Sequence, residues 1–385
     1  MRKIRILHIQ VLPILSGVQK AMYDILIRLD RSKYDITVLC QSEGELTEAL
    51  KRQQIRCIIL NELKREINPY FDFVACLKLY RILRNEKIDI IHTHSSKPGF
   101  VGRLAAKAAG IKCIVHTVQG FAFHEQSSKL SVLLFGMMER IAGLASDRVI
   151  IVNDKDRFVA DQMRLVPSKK ITTIYNGIDV ESLNSKVRNV SLDELIGIKK
   201  NGALVGMVAR LWKQKSPQDF IRSIPIVVRE IPSARFLVIG DGPLQPELAE
   251  LSRELGVQDN VSFLGWRTDV QDIVKQLDVM VLTSLWEGLP LTLLEGMALS
   301  KPIVATNIKG NNELVVHEIT GFLASPRDYQ KIGEYTLTLL KNKPLARSMG
   351  ERAFIRVKEK FDIRNIVEQI NSEYLKLLKS KEKEL

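Results

Sequence analysis

Short apolar runs of strand length alternate with longer, helix-length segments along most of the chain. The runs are rich in Ile and Val and mostly apolar on both faces, which is typical of parallel strands covered by helices. They predict two series of strands. The first series comprises Ile4–Gln10, Ile36–Leu39, Cys57–Leu60, Ile88–His92, Cys113–Thr117, Arg148–Val152 and Ile171–Ile174. The second comprises Leu204–Ala209, Arg235–Ile239, Val261–Leu264, Val279–Leu282, Ile303–Thr306 and Gly321–Ala324.

A polar, turn-rich stretch near residues 180–200 separates the two series. The pattern therefore predicts an α/β protein with two doubly wound, Rossmann-like parallel-sheet domains, at 1–180 and 200–360. Residues 364–380 form a last helical segment whose apolar side chains share one face, so we expect this helix to pack on a domain.

Composition is consistent with this architecture. A chain of 385 residues with 45% hydrophobic and 26% charged residues has enough material for two globular domains with a core each. Its apolar runs are shorter than the roughly 18–20 residues that span a bilayer. Its N-terminus is typical of a first strand and not of a signal peptide. Four cysteines without a Cys-x-x-Cys pattern predict neither a zinc site nor a disulfide framework, so we expect a cytoplasmic protein.

The net charge of +13 is concentrated in the first domain. Residues 1–180 carry 28 Lys and Arg against 18 Asp and Glu, whereas residues 181–385 carry 29 against 26. The sequence lacks the motifs of nucleic-acid-binding modules, so we expect no nucleic-acid partner. An anionic membrane surface or a lipid diphosphate is the favoured partner. The alternative is that the charge reflects a proteome that is basic in general.

Residues 130–145 form a long apolar stretch that only Glu139 and Arg140 interrupt. We interpret it as a helix buried in the core. The alternative is a helix that dips into an anionic bilayer surface.

Glu287 and Glu295, separated by seven residues, are the most informative pair in the chain. Glu287 follows a predicted strand, and Pro290 is expected to be the first residue of a helix that contains Glu295. The amide groups at the start of such a helix favour a phosphate. A carboxylate beside a phosphate calls for a neutral hydrogen-bond donor, such as a sugar or ribose hydroxyl. This pattern therefore indicates a nucleotide-sugar site.

The run Glu-Gly-Leu-Pro-Leu-Thr-Leu-Leu-Glu, from Glu287 to Glu295, is followed by Lys-Pro-Ile-Val-Ala-Thr-Asn and Gly-Asn-Asn-Glu-Leu-Val. Together these segments resemble the donor-site signature of the retaining glycosyltransferases of family 4. The resemblance covers almost the whole chain. It implies the GT-B fold, in which two Rossmann-like domains face a cleft, the first binding the acceptor and the second the nucleotide sugar. It also implies that helix 364–380 packs back on the first domain.

The resemblance assigns three catalytic candidates. Arg210 and Lys215, five residues apart after a predicted strand, resemble the pair that binds the donor diphosphate, and fixed cations there would stabilise the leaving group. Glu287 would hold the sugar hydroxyls, and Glu295 would hold the ribose.

Further donor-binding candidates follow from the same resemblance. Gly240 and Gly242 form a Gly-x-Gly turn whose missing side chains would let the backbone approach a ligand. Trp266 and Arg267 lie where relatives recognise the base, although plain packing is an alternative for Trp266. The remaining candidates are Gly17, Gly288 and Leu289. Relatives often carry Gly-Gly where this chain has Ser16 and Gly17, which leaves one glycine near the donor phosphates.

Acceptor-side candidates lie in the first domain. His92 and His94 point the same way from a strand end, but no third metal ligand is evident, so we place His94 and Lys97 in an acceptor pocket. A purely structural histidine is the alternative. Relatives carry a histidine where this chain has Gln119, which cannot carry a proton. His116 is a candidate to replace that histidine if its side chain points into the cleft. Side chains alternate along a strand, so His116 and Thr117 face opposite ways.

We therefore expect a retaining, nucleotide-sugar-dependent hexosyltransferase that uses UDP and needs neither a metal nor another cofactor. Its acceptor would be a polyprenyl-diphosphate-linked saccharide, in the synthesis of a bacterial capsule or lipopolysaccharide at the inner face of the cytoplasmic membrane. Two alternatives stay open. One is a nucleotide-sugar epimerase of the same fold. The other is a catalytically weak partner subunit or membrane-binding module. Ser16 and Gln119, which replace residues that relatives carry, make this alternative plausible.

Overall fold

The computed structural model describes residues 2–15, 17–64, 66–123, 127–188, 190–197 and 202–383. Within these residues the chain divides into two compact units, each built on a parallel sheet. The first unit comprises Met1–Asn176 together with Ile363–Leu385, and the second comprises Gly177–Asp362.

The first unit contains a seven-stranded sheet in which all pairings are parallel, with the strand order β3-β2-β1-β4-β5-β6-β7. Strands β1 to β7 span Ile4–Ile9, Tyr34–Cys40, Arg56–Ile59, Ile90–His94, Cys113–Val118, Arg148–Ile151 and Ile171–Thr173. Helices α1 to α6 span Val18–Leu26, Glu45–Arg52, Pro69–Asn85, Ser96–Ala108, Lys129–Ala145 and Asp154–Gln162. A short 3₁₀ turn lies at Ser168–Lys170.

The second unit contains a six-stranded parallel sheet with the order β10-β9-β8-β11-β12-β13. Strands β8 to β13 span Leu204–Val208, Arg235–Ile239, Val261–Gly265, Val279–Leu282, Ile303–Thr306 and Gly321–Ala324. Helices α7 to α15 span Val180–Lys186, Leu192–Ile196, Pro217–Val228, Gln245–Glu254, Val270–Gln276, Leu291–Ala298, Asn311–Leu314, Tyr329–Lys341 and Lys343–Lys360. Short 3₁₀ turns lie at Lys213–Lys215 and Gln258–Asn260.

These sheets confirm the predicted fold class. Each predicted strand is present, and its ends differ from the prediction by at most two residues. The prediction succeeds because parallel strands are buried on both faces and therefore stand out as continuous apolar runs.

The last helix, α16 (Ile363–Lys383), belongs to the first unit. Its side chains Ile366, Ile370 and Tyr374 are buried in one core with residues of β1, β2 and α1. The Tyr34 hydroxyl of β2 also donates a hydrogen bond of 2.6 Å to the side chain of Asn371. This helix therefore completes one face of the first sheet.

The prediction that residues 130–145 form a core helix is wrong for one of its faces. The segment is helix α5, and only its inward side is buried, including Gly136, Ala142 and Gly143. Six large apolar side chains on the other side are exposed: Leu130, Leu133, Leu134, Met137, Ile141 and Leu144. The sequence is apolar almost all round, so periodicity alone did not separate the two faces. Among the described residues, no helix is long and apolar enough to cross a bilayer.

Candidate active site

The second sheet reverses its strand order between β8 and β11. Ligands of doubly wound sheets bind outside the carboxyl ends of the strands at such a point. The loop after β8 carries Arg210 and Lys215, and the loop after β11 carries Glu287. The three catalytic candidates therefore lie on the loops of two neighbouring strands, at the position where a ligand is expected.

Hydrogen bonds tie these two loops together. The Thr283 hydroxyl, directly after β11, reaches the carbonyls of Lys215 and Ser216, both at 2.9 Å. The Leu285 amide donates to the Gln214 carbonyl at 2.7 Å, and the Gln214 side chain donates to the Trp286 carbonyl at 2.8 Å. Because both loops are held by these bonds, the side chains that they carry are pre-positioned.

Lys215 and Glu287 form an ion pair across the two loops. The Ser284 hydroxyl donates a second hydrogen bond of 2.6 Å to the same oxygen, Oε1, of Glu287. Glu287 is buried, and a buried carboxylate needs such partners. Arg210 is exposed, and its guanidinium carbon lies 4.8 Å from the centre of the Trp212 ring. The site thus combines an exposed cation, a partly buried cation and a buried carboxylate.

Helix α12 follows Glu287, Gly288 and Leu289 and carries Glu295 in its second turn. Glu295 is buried, and its Oε1 lies 3.4 Å from the side-chain nitrogen of Gln271. The helix begins at Leu291, not at the predicted Pro290, because Pro290 keeps an extended ψ of 118°. The prediction is therefore wrong by one residue, and Glu295 still lies beyond the first turn.

Gly240 and Gly242 follow β9, and backbone packing is what requires glycine at both positions. A Cβ atom on Gly240 would lie 2.1 Å from the Ala209 carbonyl oxygen, and one on Gly242 would lie 2.3 Å from that of Leu211. Their φ angles of +125° and +155° also disfavour other residues. The two glycines thus let this turn pack on the loop that carries Arg210, whereas the sequence suggested close approach to a ligand.

Trp266 and Arg267 follow β10. Trp266 is 60% exposed, so the alternative that it merely packs at the strand end is wrong. The Arg267 guanidinium forms an ion pair of 2.7 Å with Asp269 and donates to the Leu195 carbonyl at 3.2 Å. These bonds fix Arg267 beside an indole that is open to solvent.

The first sheet reverses its order between β1 and β4. Gly17 lies between the carboxyl end of β1 and the start of α1, whereas Ser16 lies outside the described residues. In the register of the two strands His8 lies opposite His92, and in the register of β4 with β5 His94 lies opposite Thr117. Paired residues of neighbouring strands share a face, so these side chains meet on the face that α16 covers.

The buried histidines of this face form a hydrogen-bonded chain. His92 Nε2 bonds to the Thr117 hydroxyl at 2.7 Å, and His92 Nδ1 bonds to the Tyr374 hydroxyl at 2.5 Å. His8 Nδ1 lies 3.0 Å from His94 Nε2. His94 Nδ1 is buried and has no hydrogen-bond partner among the described residues.

The structure thus corrects the statement that His92 and His94 lack a third potential metal ligand. One nitrogen each of His8, His92 and His94 falls in a group whose members lie within 4.8 Å of one another. These imidazoles are already bonded to each other, to Thr117 or to Tyr374. The absence of a metal from the mechanism stays a prediction.

Burial keeps the histidines of the first sheet neutral. Loss of hydration lowers the pKa of His94 to about 3 and holds the pKa values of His8, His92 and His116 well below 6.5. Neighbouring imidazoles lower the pKa of His8 and His92 further, and the Arg103 guanidinium does so for His116.

The four acceptor-side candidates do not form one pocket. His116 is buried on the face of the sheet opposite to His94, with its Nδ1 2.9 Å from the Thr93 hydroxyl. Lys97 forms an ion pair of 2.6 Å with Asp72. Gln119 is partly exposed and accepts a hydrogen bond of 3.0 Å from the Asn176 side chain. Of the four, His94 and His116 are buried, whereas Lys97 and Gln119 are partly exposed.

A cavity of about 630 Å³ lies in the second unit, at the edge of the sheet opposite to the loops that carry Arg210, Lys215 and Glu287. Residues just before β8, β11 and β12 line it, among them Ala203, Asp278 and Pro302. It lies at the amino ends of the strands, so it is separate from the candidate active site.

Comparisons with known proteins agree with the geometry of both units. The family model described as Glycosyltransferase Family 4 matches residues 15–182, and the model of Glycosyl transferases group 1 matches residues 192–356. The chain is 34% identical over 383 residues to the UDP-Gal:alpha-D-GlcNAc-diphosphoundecaprenol alpha-1,3-galactosyltransferase of Escherichia coli, covering 98% of each chain. It is 30% identical over 317 residues to the N-acetyl-alpha-D-glucosaminyl L-malate synthase of Bacillus anthracis, covering 81% of each.

A solved structure supports the fold. The crystal structure of Anabaena HepE in complex with UDP and glucose matches with a TM-score of 0.83 at 21% identity, over 97% of this chain and all of that chain. The family models and the relative that is 34% identical over 98% of the chain show that the chain is a glycosyltransferase and belongs to family 4. The solved structure agrees with the GT-B fold of that family.

Proposed function

We propose that this glycosyltransferase moves a sugar from a UDP-sugar, with retention of anomeric configuration, to a saccharide carried on a polyprenyl diphosphate. The product would serve the synthesis of a bacterial surface polysaccharide, such as a capsule or a lipopolysaccharide. The observation that carries the proposal is the 34% identity, over 98% of both chains, to an enzyme whose name specifies UDP-Gal and a diphosphoundecaprenol acceptor.

The loops of the second unit supply the chemistry that such a donor needs. Breaking the bond between the sugar and UDP leaves negative charge on the diphosphate. Arg210 is exposed on the loop after β8, and Lys215 lies in the 3₁₀ turn of the same loop. The two cations would therefore neutralise the charge of the diphosphate without a metal. Lys215 would then exchange its contact with Glu287 for the phosphate oxygens.

Two carboxylates and one aromatic ring would position the rest of the donor. Glu287, freed from Lys215, would accept hydrogen bonds from the sugar hydroxyls, and Glu295 would accept them from the ribose. The exposed indole of Trp266 would lie beside the base, next to the fixed Arg267. Gly288 and Leu289 would contribute backbone contacts to the donor.

The acceptor would bind at the carboxyl edge of the first sheet. His94 Nδ1 and Gln10 Nε2 are buried polar atoms that lack partners among the described residues. His94 is the last residue of β4, and Gln10 directly follows the neighbouring strand β1. Because buried polar groups are normally hydrogen-bonded, these atoms are candidates for contact with acceptor hydroxyls. Since a polyprenyl diphosphate is embedded in a bilayer, the enzyme would act at the inner face of the cytoplasmic membrane.

The test begins with titration calorimetry of UDP, GDP, ADP and CMP. We expect UDP to bind, and binding to be lost in Arg210→Ala and Glu295→Ala. The protein is then incubated with UDP-galactose and a short-chain lipid diphosphate carrying N-acetylglucosamine, and the linkage of the product is determined by NMR.

Each outcome is informative. An α-linked product from the α-linked donor supports retention, whereas a β-linked product contradicts it. Isomerised donor in the acceptor-free control would support the epimerase instead. Absence of binding by all four nucleotides would contradict a nucleotide-sugar enzyme.

A further inference from the structure

Helix α5 exposes a continuous apolar stripe, which we call the α5 stripe: Leu130, Leu133, Leu134, Met137, Ile141 and Leu144. Leu130 is 75% and Leu144 is 65% exposed, so the stripe runs the length of the helix. At 100° per residue the six side chains fall within an arc of roughly 100°, the width that normally faces a core. In α5 this arc faces outward and is exposed, whereas a different face of the helix packs against the rest of the first unit.

The inward face fixes the orientation of α5. Gly136 and Gly143 lie against the segment after α6, with added Cβ atoms 3.3 Å from Met163 and 2.7 Å from the Leu165 carbonyl oxygen. Glu139 turns inward and forms a buried ion pair of 2.8 Å with Arg103 of α4. Breaking such a pair is costly, so α5 cannot easily rotate to bury the stripe.

The charges beside the α5 stripe are positive. Glu139 is the helix's acidic residue and is buried, whereas Lys129 and Arg140 are exposed along one edge of the arc. Arg140 donates to the carbonyls of Met163 and Arg164, so that segment borders the same edge and adds the exposed Arg164. The result is an apolar stripe with a cationic border.

Two further features lie on the same side of the sheet. Helix α3 exposes Tyr70, Phe73 and Leu77, and α4 lies between α3 and α5 and contacts both. On α6, Phe158 is 64% exposed next to the exposed Arg157. Apolar and cationic side chains thus recur across this side of the first unit.

The position of the stripe suits the proposed acceptor. Because α3 and α5 follow parallel strands, both helices start at the carboxyl edge of the sheet. Tyr70 and Leu130 lie in the first turns of these helices, at the edge where β4 and β5 end. A surface that rests on a bilayer there would bring this edge close to lipid headgroups.

We infer that the α5 stripe and its cationic border form a docking surface for an anionic phospholipid bilayer. This inference rests on the proposed function, because a lipid-linked acceptor requires the enzyme to reach the membrane. Apolar side chains partition into the headgroup and acyl boundary, and the Lys and Arg side chains attract anionic headgroups. A second copy of the chain is a poorer occupant, because a two-fold contact through the stripes would bring their cationic borders together.

Co-sedimentation with vesicles tests the inference. Vesicles of phosphatidylcholine alone are compared with vesicles that contain about 30% phosphatidylglycerol, an anionic fraction large enough to attract a basic surface. The test variant is Leu133→Glu/Met137→Glu. The matched control is Ile319→Glu/Ile355→Glu in the second unit, where Ile355 is as exposed as Met137, at 53%.

We expect the wild type and the control to bind the anionic vesicles equally. The test variant should bind at least about tenfold more weakly, because two charges replace inserted apolar side chains. A Lys129→Glu/Arg164→Glu variant, which reverses two charges of the cationic border, should also bind more weakly. Equal binding by all variants, or no binding by the wild type, would overturn the inference.

Two companion measurements separate the possible failures. Analytical ultracentrifugation detects a dimer, and a dimer that only Leu133→Glu/Met137→Glu dissociates would assign the stripe to a second copy. UDP titration of every variant reports on the donor site, which lies in the other unit. If UDP binding persists while vesicle binding is absent, only the docking surface is wrong. If the wild type binds no UDP, the proposed function fails.

Discussion

The ammonium group of Lys215 contacts the carboxylate of Glu287, and this ion pair joins the loops after β8 and β11. Each partner is a catalytic candidate on its own. Their contact means that neither charge is left without a counterion in the structure described here. A diphosphate that attracts Lys215 would also release Glu287, so donor binding and exposure of the carboxylate would be coupled.

This coupling predicts the effect of removing the cations. Lys215→Ala or Arg210→Ala should lower the transfer rate by about 10²–10³-fold, because each removes a fixed charge that stabilises the leaving diphosphate. Initial rates at saturating donor measure the effect. Lys213→Ala is the control, since Lys213 is an exposed cation in the same 3₁₀ turn. Unchanged turnover in both catalytic variants would contradict the mechanism.

The two glutamates should separate in their effects on nucleotide and sugar. Glu295→Gln should weaken binding of UDP itself by about tenfold or more, as expected for loss of a charged hydrogen bond to the ribose. Glu287→Gln should not weaken UDP binding, because it removes the carboxylate that competes with the diphosphate for Lys215, and it should reduce turnover. Calorimetry with UDP and rate measurements on the same variants check both statements. Equal loss of UDP affinity in the two variants would remove the proposed division of roles.

Gly240 should be far less tolerant of a side chain than a glycine in open space. Gly240→Ala combines a positive φ with a Cβ atom 2.1 Å from the Ala209 carbonyl oxygen. Gly256→Ala also has a positive φ, but nothing lies within 4 Å of its Cβ position. We expect Gly240→Ala to lower the free energy of unfolding by about 1–3 kcal/mol more than Gly256→Ala. Urea unfolding of the two variants measures the difference, and equal losses would refute it.

The neutral histidines predict a loss of stability in mild acid. Their folded-state pKa values lie below 6.5, so below that pH the unfolded chain binds protons that the folded chain does not. With respect to these histidines, the free energy of unfolding should therefore be greatest above about pH 7 and should decrease as the pH drops. The loss should approach about 1.4 kcal/mol per pH unit for each histidine.

Urea unfolding between about pH 7.5 and 5.5, above the range where most carboxylates titrate, measures this slope. His94→Gln should reduce this slope by about 1.4 kcal/mol per pH unit, the contribution of one proton. A flat profile in the wild type would show that these histidines become protonated without unfolding.

The strands could be predicted from sequence because their signal is local. The predicted strand Ile88–His92 shows the limit of this signal, since β4 actually spans Ile90–His94. The shift of two residues keeps His92 and His94 on their face, because side chains alternate with a period of two. It nevertheless carries His94 from the expected loop into the buried strand.

Contacts between distant parts of the chain could not be predicted in this way. His8 joins His92 and His94 because β1 and β4 are neighbours in the sheet, and Tyr374 arrives from the last helix. Similarly, nothing near Gly240 in the sequence reveals the carbonyl of Ala209 against it. The roles of the site residues in binding and catalysis stay predictions until the variants above are measured.

Helix α16 has a consequence for how the protein is made. The second unit is inserted between Asn176 and Ile363, so the first unit is assembled from both ends of the chain. On the ribosome, the face that receives Tyr374 must wait until the second unit has been synthesised. Chaperones would meet a nascent chain with an uncovered apolar sheet face, and transplanting the first unit into a chimera would require both of its segments.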